Sequence, residues 1–149
     1  MRIRKYMKTM VGAVSPLLSE ATQGWEEEWR QEIFNLYSRY SRTLGEAYVA
    51  EDKGEIIGTI FLKRCVRALV IYFLAVSKKR RGEGIGKALV RMAERIAARE
   101  KRILRVDVEN KCSNERFYEK LGFRKCGRVE NFYMEGDDQI FMWKKPAGR

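Results

Sequence analysis

Apolar residues recur along this chain with two different periods, and the change from one to the other marks its elements. From Ala68 to Val76 the run ALVIYFLAV is apolar throughout and rich in β-branched and aromatic types. It is too short to span a membrane as a helix and suits a buried strand. Beyond it Ile85, Leu89, Met92, Ala93 and Ile96 fall at helical spacing, so one face of a helix packs inward while Lys87, Arg91, Glu94, Arg95 and Arg99 face water. Between strand and helix lies the basic turn SKKRRGEGIGK.

The same patterning predicts the remaining elements. Residues 1–6 read as a first strand, and 7–44 as two helices, interrupted near Ser15-Pro16 and at Gly24. Trp25-Glu26-Glu27-Glu28-Trp29 opens the second helix, where acids complement the helix dipole. Residues 47–51 and 56–63 form a hairpin around Asp52-Lys53-Gly54, and a polar bend returns the chain to the apolar strand. Residues 103–108 give a further strand, with Val106 and Val108 on one side and Asp107 and Glu109 on the other. A short helix over Asn114–Lys120 is closed by Leu121-Gly122-Phe123. Residues 124–130 and 140–144 pair across the loop NFYMEGDDQ, and 146–149 form a flexible tail. A single α/β domain over residues 1–145 is expected.

Composition narrows the chemistry. The chain of 149 residues has 31 Lys and Arg against 20 acids, a formal charge of +11, which favours an anionic partner. The excess is spread out rather than gathered in one block, which argues against a nucleic-acid tail. Three cysteines, Cys65, Cys112 and Cys126, are odd in number and form no Cys-x-x-Cys pair, so neither a disulfide framework nor a zinc site is indicated; free thiols suit the cytoplasm. Met1 leads into a basic segment with no signal-peptide pattern. The absence of histidine excludes Ser-His and Cys-His nucleophilic pairs, and it leaves a carboxylate, water or an amine as general base.

A strand, a glycine turn and a helix N-terminus together make an anion site, because unobstructed N–H donors and the positive dipole end meet there. Lys78, Lys79, Arg80 and Arg81 add charge. Nucleotide loops fail letter by letter. Arg81 stands where the first Walker glycine belongs and Ala88 where its Ser or Thr belongs; Lys87 takes the place of the third dinucleotide glycine. What remains, Arg81-Gly82-Glu83-Gly84-Ile85-Gly86, resembles the Arg/Gln-x-x-Gly-x-Gly/Ala signature of the GNAT N-acetyltransferase family, and FYEKLGF at 117–123 resembles its second hallmark.

The resemblance implies the GNAT acyl-CoA N-acyltransferase fold, a mixed, mostly antiparallel sheet flanked by helices, with acetyl-CoA as cosubstrate and no metal. It implies that residues 81–87 (Arg81, Gly82, Glu83, Gly84, Ile85, Gly86, Lys87) hold the diphosphate and that the backbone of Leu74, Ala75 and Val76 pairs with the pantetheine arm. Tyr118 would protonate the departing thiolate and also touch the cofactor. Asp107 matches a strand-five carboxylate of ribosomal-protein acetyltransferases and is the candidate base, with Glu109 and Glu130 as rivals. The family's cofactor asparagine falls on Asn114 or Asn110; Asn114 also suits a helix N-cap. Cys112 as a nucleophile lacks a histidine to activate it.

On the acceptor side, Glu27, Tyr72 and Tyr133 are candidate substrate-binding residues, and Asn131 to Asp138 followed by Phe141-Met142 resembles a loop and final strand of protein N-terminal acetyltransferases. The acceptor class is an amine, either a small molecule or a peptide N-terminus. No membrane partner is expected, and a homodimer is one option for assembly. An acyl-CoA sensor without turnover and a basic nucleic-acid binder are the alternative classes.

Overall fold

The computed structural model describes residues 1–110 and 114–146. Seven strands follow the hydrogen-bonded order β1-β2-β3-β4-β5-β7-β6: β1 (Arg2–Lys5), β2 (Glu46–Asp52), β3 (Glu55–Arg64), β4 (Ala68–Val76), β5 (Ile103–Glu109), β6 (Arg124–Met134) and β7 (Asp137–Lys144). The helices are α1 (Val11–Ala21), α2 (Glu27–Ser38), α3 (Ile85–Arg99) and α4 (Asn114–Lys120). The β1–β2, β2–β3, β5–β7 and β6–β7 pairs are antiparallel, whereas β4 and β5 run parallel. This is the mixed, mostly antiparallel α/β architecture read from the sequence. Two compact units divide it, residues 1–63 with 73–92, and residues 64–72 with 93–149.

In the first unit, β2 and β3 form the expected hairpin, with Asp52 opposite Glu55 and both Lys53 and Gly54 at positive φ, as a tight two-residue turn requires. Its core is aromatic. Tyr6, Tyr37 and Phe61 meet edge to face, with Tyr37 centred 5.1 Å from Tyr6 and 5.6 Å from Phe61. The buried Tyr37 phenol donates to Thr59 Oγ1, whose own hydroxyl donates to the Tyr48 carbonyl, so both buried hydroxyls are paired.

One expected break is absent: α1 runs unbroken through Pro16. Proline cannot donate to the carbonyl of Gly12, which is an exposed residue, and the Ser15 hydroxyl bonds back to Val11 O at 2.6 Å. The break at Gly24 is where the pattern placed it.

In the second unit the parallel ladder pairs Ala68 to Ile71 with Ile103 to Val106, residue for residue. Leu104, Val106 and Val108 are buried and the alternate residues of β5 are half-buried, which is the predicted period of two. The C-terminal hairpin is longer than its pattern. β6 continues to Met134 and turns at Glu135-Gly136, so most of the expected NFYMEGDDQ loop is strand. The polar, exposed character of β6 hid this, since an edge strand has no apolar face to advertise it.

Candidate active site

The glycine loop belongs to the first unit. Phe73 and Ala75 of β4 are buried, whereas Leu74 and Val76 are half-exposed on the alternate face. The chain then makes a single 3-10 turn at Lys78–Arg80 and takes φ +82° at both Gly82 and Gly84 before α3 begins. Ala88 N–H is bonded to Gly84 O at 3.0 Å, which closes the first helical turn. The N–H groups of Ile85, Gly86 and Lys87 therefore have no carbonyl one turn back within the helix.

A Cβ at Gly82 or Gly84 would meet nothing within 4 Å, so the loop is an open cradle and not a packed turn. Arg81 and Lys87 are exposed at it. Glu83 is held by Arg80 at 2.9 Å, and Arg80 also reaches Asp52 at 2.9 Å. The Glu20 carboxylate accepts from Lys78 N–H at 3.3 Å. Gly58 completes the support, since a Cβ there would lie 2.9 Å from Ile85 Cγ2 and 3.2 Å from Leu89 Cδ1. Its bare backbone lets the first turn of α3 approach the sheet.

Tyr118 and the carboxylates belong to the second unit. The Tyr118 ring is buried between Phe117 and Phe123, 5.0 and 5.2 Å centre to centre, and burial pushes its phenol far above the ordinary tyrosine value. Asp107 and Glu109 share the half-buried face of β5, and Asp107 lies 3.2 Å from Arg105. The Tyr133 phenol is pushed up to about 12, first by burial and then by the negative charges of Glu109, Asp107 and Asp137, while a hydrogen bond with Gln139 acts the other way. Tyr133 thus shares one electrostatic neighbourhood with Asp107 and Glu109, two of the three candidate bases.

The hairpin tip that carries Tyr133 is tied by Asn131, whose N–H donates to Asp138 Oδ1 and whose Oδ1 accepts from Gly136 N–H. Asn110 accepts from Asp138 N–H at 2.9 Å, which commits one side of this candidate cofactor ligand to anchoring β7. Asn114 is the exposed first residue of α4. Tyr72 is half-exposed on β4, and Glu130 is exposed on β6. Glu27, in the first unit, is exposed at the start of α2, near Trp25, which stands edge-on to Phe73 at 6.2 Å. Cys112 and residues 147–149 of the expected tail lie outside the described residues.

One expectation fails: Glu94 does not face water. It is 8 % exposed and lies 2.9 Å from Lys144 Nζ. Helical periodicity had placed it beside Arg91 and Arg95, and the only signal against that was Lys144, fifty residues away. Gly58, Arg80 and Glu20 were likewise invisible as supports of the loop, because their partners are distant in sequence.

The open cradle, the helix N-terminus and the exposed cations beside it suit an anion. Among the described residues no group of three or more His, Cys, Asp or Glu could hold a metal, and no helix is long and apolar enough to cross a membrane. The family model described as an acetyltransferase (GNAT) domain matches residues 43–125. An uncharacterised N-acetyltransferase of Methanocaldococcus jannaschii is 35 % identical over 117 residues, covering 76 % of this chain and 72 % of its own.

Among solved structures, an aminoglycoside 6'-N-acetyltransferase complexed with coenzyme A superposes with a TM-score of 0.79 at 19 % identity, over 100 % of this chain and 99 % of its own. The ribosomal-protein-alanine N-acetyltransferase of Brucella melitensis gives 0.77 at 20 %, over 97 % and 99 %. The chain belongs to the GNAT family of acetyl-CoA-dependent N-acetyltransferases.

Proposed function

We propose that this enzyme moves the acetyl group to a primary amine by direct attack, with Tyr118 as proton donor, Asp107 as proton acceptor and residues 81–87 as the diphosphate grip. The observation that carries this reading is the open, left-handed cradle at Gly82 and Gly84 ahead of α3. Acetyl-CoA supplies an activated acyl group on a thiol leaving group.

The chain's own residues must then manage two protons. An alkyl amine with a pKa of about 10 is mostly protonated at neutral pH and has to lose a proton to become a nucleophile. Asp107 is the carboxylate assigned to that step, with Glu109 on the same strand face. Arg105 holds Asp107 in place. Tyr118 has the complementary property, since burial keeps its phenol protonated and able to donate.

The acceptor is read as a peptide N-terminus or a small amine. The solved relatives named above act, by their names, on a ribosomal-protein alanine and on an aminoglycoside. A tip ordered by Asn131 and bearing Tyr133 supports contact with an extended peptide, and exposed Glu27 supports attraction of a cation. A thiol-release screen of acetyl-CoA against alanine-headed peptides, polyamines and aminoglycosides tests the reading. Release that depends on one amine class supports it; no release above the amine-free rate with any of them rejects it.

A further inference from the structure

The Glu94–Lys144 pair has a third partner, the end of α4. Both side chains are largely shielded, 11 % and 15 % exposed, and a buried pair of charges adds little stability over two apolar side chains of the same size. Stability alone is therefore a weak reason for it. Lys144 Nζ also donates to the Leu121 carbonyl at 2.7 Å.

Leu121 closes α4. Its N–H and that of Phe123 both donate to the Tyr118 carbonyl at 3.0 Å, and the Gly122 N–H donates to Glu119 O at 3.0 Å. Gly122 makes the reversal with φ +94°, and a Cβ there would lie 3.3 Å from Lys144 Cε and 3.4 Å from Nζ. The lysine stem thus lies against the cap, and its ammonium stands at the C-terminal end of the helix, where the dipole favours a cation. A seven-residue helix has little stability of its own, so what holds its end sets the direction of its side chains.

Resting on the reading of Tyr118 as proton donor, we propose that Lys144, oriented by Glu94, is a positioning residue for Tyr118, clamping the Leu121 carbonyl and so fixing the short helix that aims the phenol. The sequence signal is the glycine of FYEKLGF together with a lysine near the end of the last strand.

Two variants separate aim from stability. Lys144→Met keeps the stem and loses the donor to the Leu121 carbonyl. Glu94→Leu with Lys144→Met removes both charges of the pair and also leaves Leu121 unclamped, so a loss of turnover common to the two variants follows the lost clamp and not an imbalance of charge. The probes are acetyl-CoA with an alanine-headed peptide, or spermidine should peptides fail, and amide hydrogen exchange on the protein alone. Both variants should lower kcat roughly tenfold, as a small misplacement of a reacting group does, with KM for acetyl-CoA within about twofold. Exchange at the Phe123 amide should quicken while that at Val106 does not. In a Tyr118→Phe background, Lys144→Met should cost no further turnover.

Normal kcat and unchanged Phe123 exchange in the double variant would overturn the clamp. So would a loss from Lys144→Met that persists undiminished without the Tyr118 hydroxyl. Full turnover of Tyr118→Phe by itself would instead reject the proton-donor reading, and with it the purpose of the clamp, even where the exchange data confirm the contact.

Discussion

Arg80 Nη2 stands 2.9 Å from Asp52 Oδ2, so a residue of the glycine loop is fastened to the turn of the first hairpin. The same guanidinium holds Glu83 at 2.9 Å. Glu83 would otherwise present a negative charge to an anionic ligand, and Arg80 neutralises it while fixing the loop. Arg80→Met should raise KM for acetyl-CoA by roughly tenfold, the size of one lost charge-assisted contact, and leave kcat within about twofold because no proton-transfer group is touched. Steady-state kinetics with varied acetyl-CoA check this; an unchanged KM contradicts it.

Acid should undo the same fastening. The Arg80 hydrogen bond, with smaller charge contributions, holds the Asp52 carboxyl below its ordinary value. A depressed value in the folded state contributes stability that is full above the unfolded pKa, near 4, and is lost as pH falls through the folded value. Between pH 6 and pH 3 the melting temperature should therefore fall more steeply for the native chain than for Asp52→Asn. Parallel curves would show that the pair contributes nothing.

Two glycines should fail for different reasons. Gly84→Ala meets no atom but forces a side chain into a left-handed conformation at φ +82°, a cost of about 1–2 kcal/mol. Gly58→Ala has no such strain but pushes a Cβ to 2.9 Å from Ile85 Cγ2, an overpacking cost of about 1–3 kcal/mol. Both should weaken coenzyme A binding, the first by distorting the cradle and the second by moving α3 away from it. Calorimetric titration with coenzyme A checks both, and unchanged affinity in Gly84→Ala contradicts the role of the cradle.

These cases show what the sequence could and could not reveal. Periodicity placed β4, α3 and β5 because each buries one face, and Gly82 and Gly84 just ahead of a helix, with Gly86 in its first turn, marked the loop. It did not show that Pro16 would be tolerated, because that depends on the exposure of Gly12. It put Glu94 in water, because a helical pattern registers a residue's own face and not a cation on another strand. β6 was read too short for a related reason: edge strands carry no apolar repeat. Support from afar, as Gly58 gives Ile85, leaves no local mark.

Tyr118 and Asp107 should each be visible in turnover. Tyr118→Phe should lower kcat by roughly 10²-fold, the lower end for a lost general acid, with KM for acetyl-CoA nearly unchanged. Because burial raises the native phenol far above the usual tyrosine value, the native pH–rate profile should show no loss of activity from its ionisation at or below pH 9. Asp107→Asn should lower kcat by roughly 10²-fold, as loss of a general base does. A near-native kcat in Asp107→Asn with a comparable loss in Glu109→Gln would transfer the base to Glu109.

The most direct measurement is a crystal structure with bound coenzyme A. The diphosphate should lie within hydrogen-bond reach of the main-chain N–H groups between Gly82 and Lys87, with Arg81 alongside. Coenzyme A found elsewhere on the protein, with those N–H groups facing only solvent, would contradict it.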